Sequence, residues 1–470
     1  MSLSLFDSRA QSVRAFEPIV SGQVGIYLCG PTVQGLPHVG HLRSALVYDQ
    51  LRRWLTATGN QVTMVRNVTD IDDKVLENAK ATGEQWWALA YRYELDFNRA
   101  YAALKIAPPT YEPRATAAIP EMLDLIDRLI KAGYAYQAED GSADVYFAAS
   151  KWAKYGELTN QKIDDMAPDS EVDLRGKRDS RDFALWKAHK SGEPISAAWN
   201  SAYGLGRPGW HIECSAMATK YLGSQFDIHG GGLDLRFPHH ENELAQSSAA
   251  GYAFANYWLH NGLVNVAGQK MSKSLGNSIF AAELLEAARP IVVRYYLGSA
   301  HYRSVLDYHE GVLDEAESAV SRIETFIAKA IRRLGVDSKK AAAAKFDVLP
   351  ADFVKAMDDD LAIPAALAAL HEQVRIGNSA FDAANDALLG DALEAVLGMT
   401  SVLGINPLEW SSADSGNDEV LENLVQALIA DRNSARADKD FARSDAIRNQ
   451  LLAAGITLED AADGTHWSVN

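Results

Sequence analysis

The sequence predicts an α/β fold, namely a Rossmann-type, doubly wound parallel sheet that is split by an insertion and followed by a C-terminal α-helical bundle and a small terminal module. Two observations predict the sheet. The apolar run Val24–Cys29 precedes a Gly- and Pro-rich turn, helical periodicity from His41 to Thr58 and a second β-type run at Val62–Val68. A strand-then-glycine-turn unit recurs at Phe226–Gly232. The third observation, an Ala-, Leu-, Glu- and Asp-rich stretch from about residue 308 to 403, predicts the helical bundle.

The remaining elements follow in chain order. An amphipathic segment at Ile119–Ala132 and a polar loop at Asp164–Arg181 indicate the insertion, and a Ser- and Asp-rich linker at Ser411–Asp418 precedes the terminal module. Ligands of such sheets bind beyond the carboxyl ends of the strands, which is where Cys29 and Thr69 fall. The predicted segments are 1–107 and 203–260 for the two halves of the Rossmann domain, 108–202 for the inserted domain, 261–307 for a following region, 308–410 for the bundle and 419–470 for the terminal module.

Composition limits the class of protein. The chain has 470 residues and a formal net charge of −17, which argues against non-specific coating of nucleic acid but leaves room for RNA binding through a local basic patch. Only two cysteines are present, so a disulfide scaffold is excluded and a reduced, cytoplasmic setting is expected. No run of about eighteen apolar residues occurs, and residues 1–18 lack an apolar targeting segment. We therefore expect a protein that is neither secreted nor inserted in a membrane.

Two short motifs give the first indication of function, HVGH at residues 38–41 and KMSKS at residues 270–274. Separately, the first could be a pair of surface histidines beside a helix start, and the second a solvated basic turn. Together, with HVGH in a strand–turn–helix context, they indicate a site that activates an acid with ATP. Attack of a carboxylate on the α-phosphate builds negative charge, which fixed donors, lysines and the N–H groups of a helix start stabilise.

A metal site is the second indication. Cys29 and Cys214 end apolar runs, and His239 and Glu243, four residues apart, share one face of a predicted helix that starts at about Pro238. Two cysteines, one histidine and one glutamate would make a four-coordinate zinc site. The alternative is two buried free cysteines beside a solvated acidic helix start. Spacing leaves the third and fourth ligands open among His211, His229, His239, His240, Glu241 and Glu243.

Other residues suggest a binding pocket. The glycine run at 230–232, followed by Leu233 and Asp234, lets the backbone approach a ligand closely. Asn67, Thr69 and Asp70 follow a predicted strand and could read a polar substrate or cap a turn. Trp210 is either a pocket wall or a core tryptophan.

The terminal module carries a basic pattern. Arg432, Arg436, Lys439 and Arg443 are spaced by four, three and four residues, which predicts one cationic stripe on a single helix. With Phe441 and Arg448 nearby, the stripe is a candidate RNA footprint, in which cations meet phosphates and a base stacks on a side chain. The alternative is a solvated face on which the cations pair with Asp431, Asp438 and Asp445.

These segments together resemble the bacterial cysteinyl-tRNA synthetases, a family of class I aminoacyl-tRNA synthetases. The resemblance covers nearly the whole chain. Its segments are CGPTV at 29–33, HVGH, NVTDIDD at 67–73, DFALWK at 182–187, GWHIECSAM at 209–217, FDIHGGGLDLRFPHHENE at 226–243 and KMSKS. Many members carry Tyr-Asp where this chain has Gln34-Gly35, which leaves the role of that loop's side chains open.

The resemblance implies an activity and a metal. The expected reaction is ATP-dependent activation of L-cysteine to cysteinyl-adenylate, with Mg²⁺ accompanying ATP, and transfer to the 3′ end of tRNA(Cys). One Zn²⁺ per chain would bind the cysteine thiolate, which serine cannot imitate. The implied zinc ligands are Cys29, Cys214, His239 and Glu243, and the implied cysteine-binding residues are Thr69, Trp210, His229 and Asp234.

The resemblance also implies ATP and tRNA contacts. Region 261–307 would contact the tRNA stem, and the bundle and terminal module would bind the tRNA. The chain is expected to be a monomer. The implied catalytic residues are His38, His41, Lys270 and Lys273. The implied adenylate contacts are His38, His41 and Lys273 together with Gly30, Thr32, Gly231 and Gly232. The candidate anticodon contacts are Arg432, Arg436, Phe441, Asp445 and Arg448.

Two alternatives compete with this function. A ligase of mycothiol synthesis would make the same adenylate but transfer cysteine to an amino sugar, and it resembles a synthetase trimmed at the C-terminus. A catalytically silent relative would only bind RNA or protein. The module after residue 418 argues against the first, and the intact motifs with four candidate zinc ligands argue against the second.

Overall fold

The structure is a computed structural model that describes residues 3–161, 176–271, 276–341, 348–410, 415–461 and 464–469. The chain forms two compact units, Met1–Glu409 and Trp410–Asn470. Within the described residues, no helix combines the length and the apolar character that crossing a bilayer requires.

The first unit contains strands and helices throughout its length. Its strands are β1 Ser4–Asp7, β2 Ser12–Ala15, β3 Gln23–Leu28, β4 Gln61–Arg66, β5 Ala135–Gln137, β6 Val145–Phe147, β7 Phe183–Ala188, β8 Gly206–Pro208, β9 Gln225–Gly232, β10 Phe254–Asn261, β11 Val264–Val266, β12 Gln269–Lys270 and β13 Leu306–Tyr308. Its helices are α1 Val39–Ala57, α2 Asp73–Thr82, α3 Trp86–Ala103, α4 Ile119–Lys131, α5 Trp210–Leu222, α6 Glu241–Ala249, α7 Ala281–Ala287, α8 Pro290–Ser299, α9 Val312–Leu334, α10 Ser338–Ala341, α11 Ala351–Asp358, α12 Ile363–Asp382, α13 Asp386–Leu403 and, at the unit boundary, α14 Pro407–Trp410.

The central sheet is parallel and has the strand order β10-β9-β3-β4. Helix α1 lies between β3 and β4 in the chain and α6 lies between β9 and β10, so the two halves extend away from each other from the β3–β9 pair. This pair is the topological switch point, where the carboxyl ends of parallel strands leave a crevice for ligands. The Cys29 N–H donates to the Gly230 carbonyl over 3.0 Å at this point. The predicted Rossmann-type fold is confirmed.

The predicted turn at Gly230–Gly232 is wrong, because these glycines continue strand β9. They are required by packing. A Cβ atom at Gly230 would overlap the Tyr48 ring of α1, and one at Gly231 would lie 2.7 Å from the His240 ring. Glycine therefore lets two neighbouring side chains pack directly on the strand backbone.

The insertion forms an antiparallel sheet of order β5-β6-β7-β8. An acidic residue at the start of α2 holds this sheet, since Asp73 accepts from Lys187 Nζ over 2.5 Å and from Arg207. Strand β8 is followed directly by α5, so the insertion sets where α5 begins.

The predicted helical stretch after residue 308 is confirmed by α9 and α11–α13. Arg294 of α8 is fully buried and joins this bundle to two helices that precede the insertion. Its guanidinium donates to Asp49 Oδ2 over 2.5 Å, to the Leu104 carbonyl over 2.9 Å and to the Leu403 carbonyl over 3.2 Å. One buried cation therefore connects α1 with the ends of α3 and α13.

The second unit is a helical pair with a hairpin: α15 Ser415–Ala437, α16 Phe441–Ala453, β14 Ile456–Ala461 and β15 Gly464–Val469. The predicted linker at residues 411–418 lies partly outside the described residues, and its last four residues belong to α15. A small apolar core includes Val425, Ile429, Ile447 and Leu451.

The predicted single-helix stripe is wrong. Helix α15 ends at Ala437, Lys439 has a φ of 62°, and the Asp440 side chain accepts from the Arg443 N–H to cap α16. Arg432 and Arg443 therefore stand on different helices. The spacing of four, three and four residues could not reveal this turn. Intervals counted along the sequence are the same whether the residues belong to one helix or to two helices joined by a short turn.

Gly230→Ala should destabilise the first unit by about 1–3 kcal/mol, because the added methyl group must displace the Tyr48 ring. Urea unfolding followed by circular dichroism would measure the loss. Gly390→Ala on α13 is the matched control, since nothing lies within 4 Å of its added Cβ. This control should raise stability by up to about 1 kcal/mol. Equal midpoints for the two variants would contradict the packing argument.

Candidate active site and metal centre

A cleft of about 480 Å³ opens at the carboxyl ends of β3 and β9. Among the described residues, Thr69, His229 and Gly231 are buried outside its lining. Lys273 lies outside the described residues. The predicted site residues that line the cleft are Cys29, Gly30, Thr32, His38, His41, Trp210, Gly232, Asp234 and Lys270.

The HVGH motif forms the start of α1. His38 is the N-cap residue with extended backbone, and its N–H donates to His41 Nδ1 over 3.2 Å. The two imidazole rings stack with centroids 3.6 Å apart. The positive end of the α1 helix dipole and two imidazoles therefore face the same cleft, which suits an anion.

The first residues of KMSKS lie beside HVGH. A Cβ atom at Gly40 would lie 3.5 Å from Met271 Cε and 3.2 Å from the His38 ring. Lys270 ends β12 in the hairpin with β11 and lines the cleft. The two motifs, far apart in the chain, are thus brought to one cleft.

Four buried donor groups converge beside the cleft, which Cys29 also lines: Cys29 after β3, Cys214 on α5, and His239 and Glu243 at the start of α6. Their ligand atoms all lie within 4.8 Å of one another. The two Sγ atoms are 3.7 Å apart, Cys29 Sγ is 3.4 Å from Glu243 Oε1, and His239 Nε2 is 3.1 Å from the same oxygen. Two thiolates bound at about 2.3 Å in tetrahedral geometry lie about 3.8 Å apart, so the donor set fits zinc.

The electrostatics of this centre suit a cation. Burial raises the pKa of the Cys29 thiol well above its ordinary value, and burial also raises the pKa of Cys214. Burial lowers the pKa of His239, which keeps its imidazole neutral and able to ligate. The thiols would need a nearby metal cation to become thiolates.

Further histidines surround the donors. His229 Nε2 lies 2.9 Å from Glu243 Oε2, and His211 Nδ1 lies 3.0 Å from His239 Nδ1. These contacts fix the orientation of two donors, as outer-shell partners of metal ligands do. A second group of donor atoms, Cys29, His229, His240 and Glu243, also converges, but it contains only one sulfur. Sulfur ligands favour zinc, so the set with both cysteines fits better.

The predicted cysteine-binding residues occupy two positions. Trp210 stacks on the His239 ring with centroids 4.2 Å apart and lines the cleft together with Asp234. Thr69 is buried and donates to Glu213 Oε2 over 3.1 Å, and His229 is buried against Glu243.

Sequence reasoning missed several cleft residues, namely Arg66, Lys74, Tyr101 and Asn261. Arg66 and Asn261 are the last residues of β4 and β10, so the rule that ligands bind at carboxyl ends of strands could have found them. Lys74 and Tyr101 lie on helices α2 and α3, where no local pattern marks them.

Three family models match successive parts of the chain. The model described as tRNA synthetases class I (C) catalytic domain matches residues 15–318, the DALR domain matches 352–408, and the cysteinyl-tRNA ligase anticodon binding domain matches 418–467. The last match does not favour the amino-sugar ligase alternative, which the sequence had raised.

Similar proteins and structures agree. Cysteine–tRNA ligases of Clavibacter sepedonicus and Leifsonia xyli are 61% and 60% identical to the chain, over 100% of both sequences in each case. The Mycobacterium tuberculosis methionyl-tRNA synthetase in complex with methionyl-adenylate shares the fold with a TM-score of 0.57 and 16% identity, covering 82% of this chain and 90% of that one. The Agrobacterium radiobacter K84 LeuRS in its ternary complex has a TM-score of 0.59 at 11% identity, covering 84% and 85%. The chain belongs to the cysteine–tRNA ligases, the cysteinyl-tRNA synthetase family of class I.

Proposed function

We propose that the protein activates L-cysteine with ATP and transfers it to tRNA(Cys), and that it selects cysteine by its thiol at the metal centre. One observation carries this proposal: two thiols, an imidazole and a carboxylate converge beside the cleft that also holds HVGH and the start of KMSKS. The proposed selection of the thiol and the reaction at the phosphates would therefore take place next to each other.

Cys29, Cys214, His239 and Glu243 would hold one Zn²⁺. When bound, zinc supplies a soft Lewis acid that favours the thiolate form of the substrate side chain over a hydroxyl. The histidines around the centre keep Glu243 and His239 oriented. Trp210, stacked on His239, closes one side of the substrate pocket. Asp234 offers a carboxylate at the cleft for the substrate ammonium group, while Thr69 and His229 support this pocket from behind.

The ATP half of the reaction uses position and charge. His38, His41 and the N-terminus of α1 would meet the negative charge that develops on the phosphates, and Gly30, Thr32 and Gly232, which line the cleft, would contact the nucleotide. Gly231, which is buried under the His240 ring, would act only through the packing of β9. Lys270, with Lys273 of the same motif, would bind the pyrophosphate, and Mg²⁺ enters with ATP. The substrate carboxylate is itself the nucleophile, so no side chain forms a covalent intermediate.

The second unit would contact the tRNA anticodon. Phe441 is 63% exposed at the start of α16, and Asp445, Arg448 and half-exposed Arg436 are accessible as well. Phe441 suits base stacking, Arg436 and Arg448 suit phosphate contacts, and the Asp445 carboxylate can accept from the amino group of a base. Arg432 suits a different role, because it is 3% exposed and donates to both oxygens of Asp460 over 2.8 and 2.7 Å. We assign Arg432 to the stability of the unit.

ATP–pyrophosphate exchange should depend on cysteine. Exchange with serine should be lower by a factor of about 10⁴ or more, because a hydroxyl is a much poorer ligand than a thiolate for a soft metal ion. Exchange of labelled pyrophosphate into ATP measures both without tRNA. Equal exchange with serine would refute selection by the thiol.

Cys214→Ala should lose zinc. Atomic absorption on the purified wild-type protein should give close to one zinc per chain, and the variant should give less than half of that because one of four ligands is missing. Thr219→Ala is the matched control, since Thr219 lies on the same helix and is not a donor of the cluster. Zinc at wild-type content in Cys214→Ala would refute the ligand set.

Phe441→Ala should lower kcat/KM for charging of tRNA(Cys) at least about fivefold, in keeping with the loss of one base-stacking contact. Pyrophosphate exchange should stay unchanged, because that assay contains no tRNA. Leu452→Ala, an exposed apolar residue of the same helix, should change neither assay. Unchanged charging by Phe441→Ala would remove this residue from the anticodon contacts.

A further inference from the structure

Arg43 is a buried arginine that the proposed chemistry does not use. It lies on α1 two residues after His41 and is only 1% exposed. Its Nη1 donates to the Leu263 carbonyl over 2.7 Å, and its Nη2 donates to the carbonyls of Ser304 over 2.6 Å and His301 over 3.3 Å. One guanidinium thus holds two chain segments against α1.

Those two segments form the base of the hairpin that carries KMSKS. Leu263 directly precedes β11, which pairs with β12 ending at Lys270, and Ser304 precedes β13, which pairs in parallel with β11. The segments meet so closely that a Cβ atom at Gly262 would overlap the Ser304 carbonyl. Arg43 therefore bonds to the segments that lead into β11 and β13, where their backbones lie in close contact.

The bonding of Arg43 is specific to a guanidinium. Among the described residues, no carboxylate lies within ion-pair distance of Arg43, so backbone carbonyls alone balance its charge. A planar guanidinium has five donors in a fixed fork and can reach carbonyls of two segments together, whereas lysine presents one ammonium group. Burial lowers the pKa of Arg43 only to about 10, so the group stays charged at neutral pH.

We propose that Arg43 is a positioning residue for adenylate formation, and that it fixes the KMSKS hairpin at its working distance from HVGH. The inference rests on the proposed function and adds a residue to its ATP half. Arg43 bonds none of the segments that carry the metal donors, since these follow β3 or belong to α5 and the start of α6. Loss of the Arg43 guanidinium should therefore raise the KM for ATP and leave the KM for cysteine nearly unchanged.

Arg43→Lys tests this separation. The KM for ATP in cysteine-dependent pyrophosphate exchange should rise at least tenfold, while the KM for cysteine should change less than threefold and the zinc content should stay at the wild-type value. Arg294→Lys is the matched control, because Arg294 is also fully buried and donates to backbone carbonyls at the ends of α3 and α13 and to Asp49 of α1, but to no group of the hairpin among the described residues. It should lose similar thermal stability and keep the wild-type KM for ATP.

A second measurement does not depend on activity. Hydrogen–deuterium exchange read by mass spectrometry should speed up in the peptide covering residues 264–270 of Arg43→Lys, and should not do so in Arg294→Lys. If wild-type exchange of pyrophosphate fails, the proposed function falls, while the deuterium result still decides whether Arg43 anchors the hairpin.

Several results would overturn the proposal. Equal rises in the KM for ATP and for cysteine, or an unchanged KM for ATP with a stability loss like that of Arg294→Lys, would give Arg43 a purely structural role. Unaltered deuterium uptake in the hairpin would do the same. If neither Arg43→Lys nor Arg43→Gln folds while Arg294→Lys does, Arg43 is a residue of general stability and the positioning role is rejected.

Discussion

The close pairing of β3 and β9 at the switch point of the parallel sheet is the constraint on which the site depends. The Cys29 N–H donates to the Gly230 carbonyl, which sets the first thiol beside the glycine run of β9. Because this run has no side chains, the rings of Tyr48 and His240 pack directly on the strand. Larger residues would push α1 and α6 outward, and with them the HVGH motif and two of the metal donors. The positions of HVGH and of the candidate metal donors therefore depend on the packing of these two rings on β9.

A metal ion at the candidate centre would explain an otherwise unfavourable cluster. Two thiols, a carboxylate and several imidazoles are buried together, and burial of such groups is costly unless each is bonded or bound to a cation. Both carboxylate oxygens of Glu243 have a partner, since one lies 2.9 Å from His229 and the other 3.1 Å from His239. A well-packed apolar core would stabilise the fold as well or better. The cluster is therefore better explained by ligand binding than by stability.

The sequence predicted what depends on local pattern. Alternation of apolar runs and helical periodicity was enough for β3, α1 and β4, and the motifs were enough to place His38, His41 and Lys270 at one cleft. It failed where distant contacts decide. Glycine suits a turn as well as a strand, and only the rings of Tyr48 and His240 require it within β9. Likewise, the spacing of the basic residues near residue 436 is the same with or without a turn. The turn is there because Asp440 caps the start of a second helix, α16. Roles in binding cysteine, ATP and tRNA stay predictions at those residues.

Helix α1 carries HVGH and so fixes the position of the predicted ATP-binding residues relative to the rest of the fold. It is buried on most sides, so its polar side chains must find partners within the protein. Tyr48 donates to the Leu259 carbonyl of the sheet over 2.7 Å, and Asp49 binds Arg294 of α8. With Arg43 on the hairpin, the helix is fixed against three distant parts of the chain. Of these contacts, the one that Arg43 makes connects the helix to the hairpin that carries the start of KMSKS. The Gly- and Pro-rich loop connects Cys29 to HVGH, and the departure at Gln34-Gly35 changes none of the predicted metal or ATP residues.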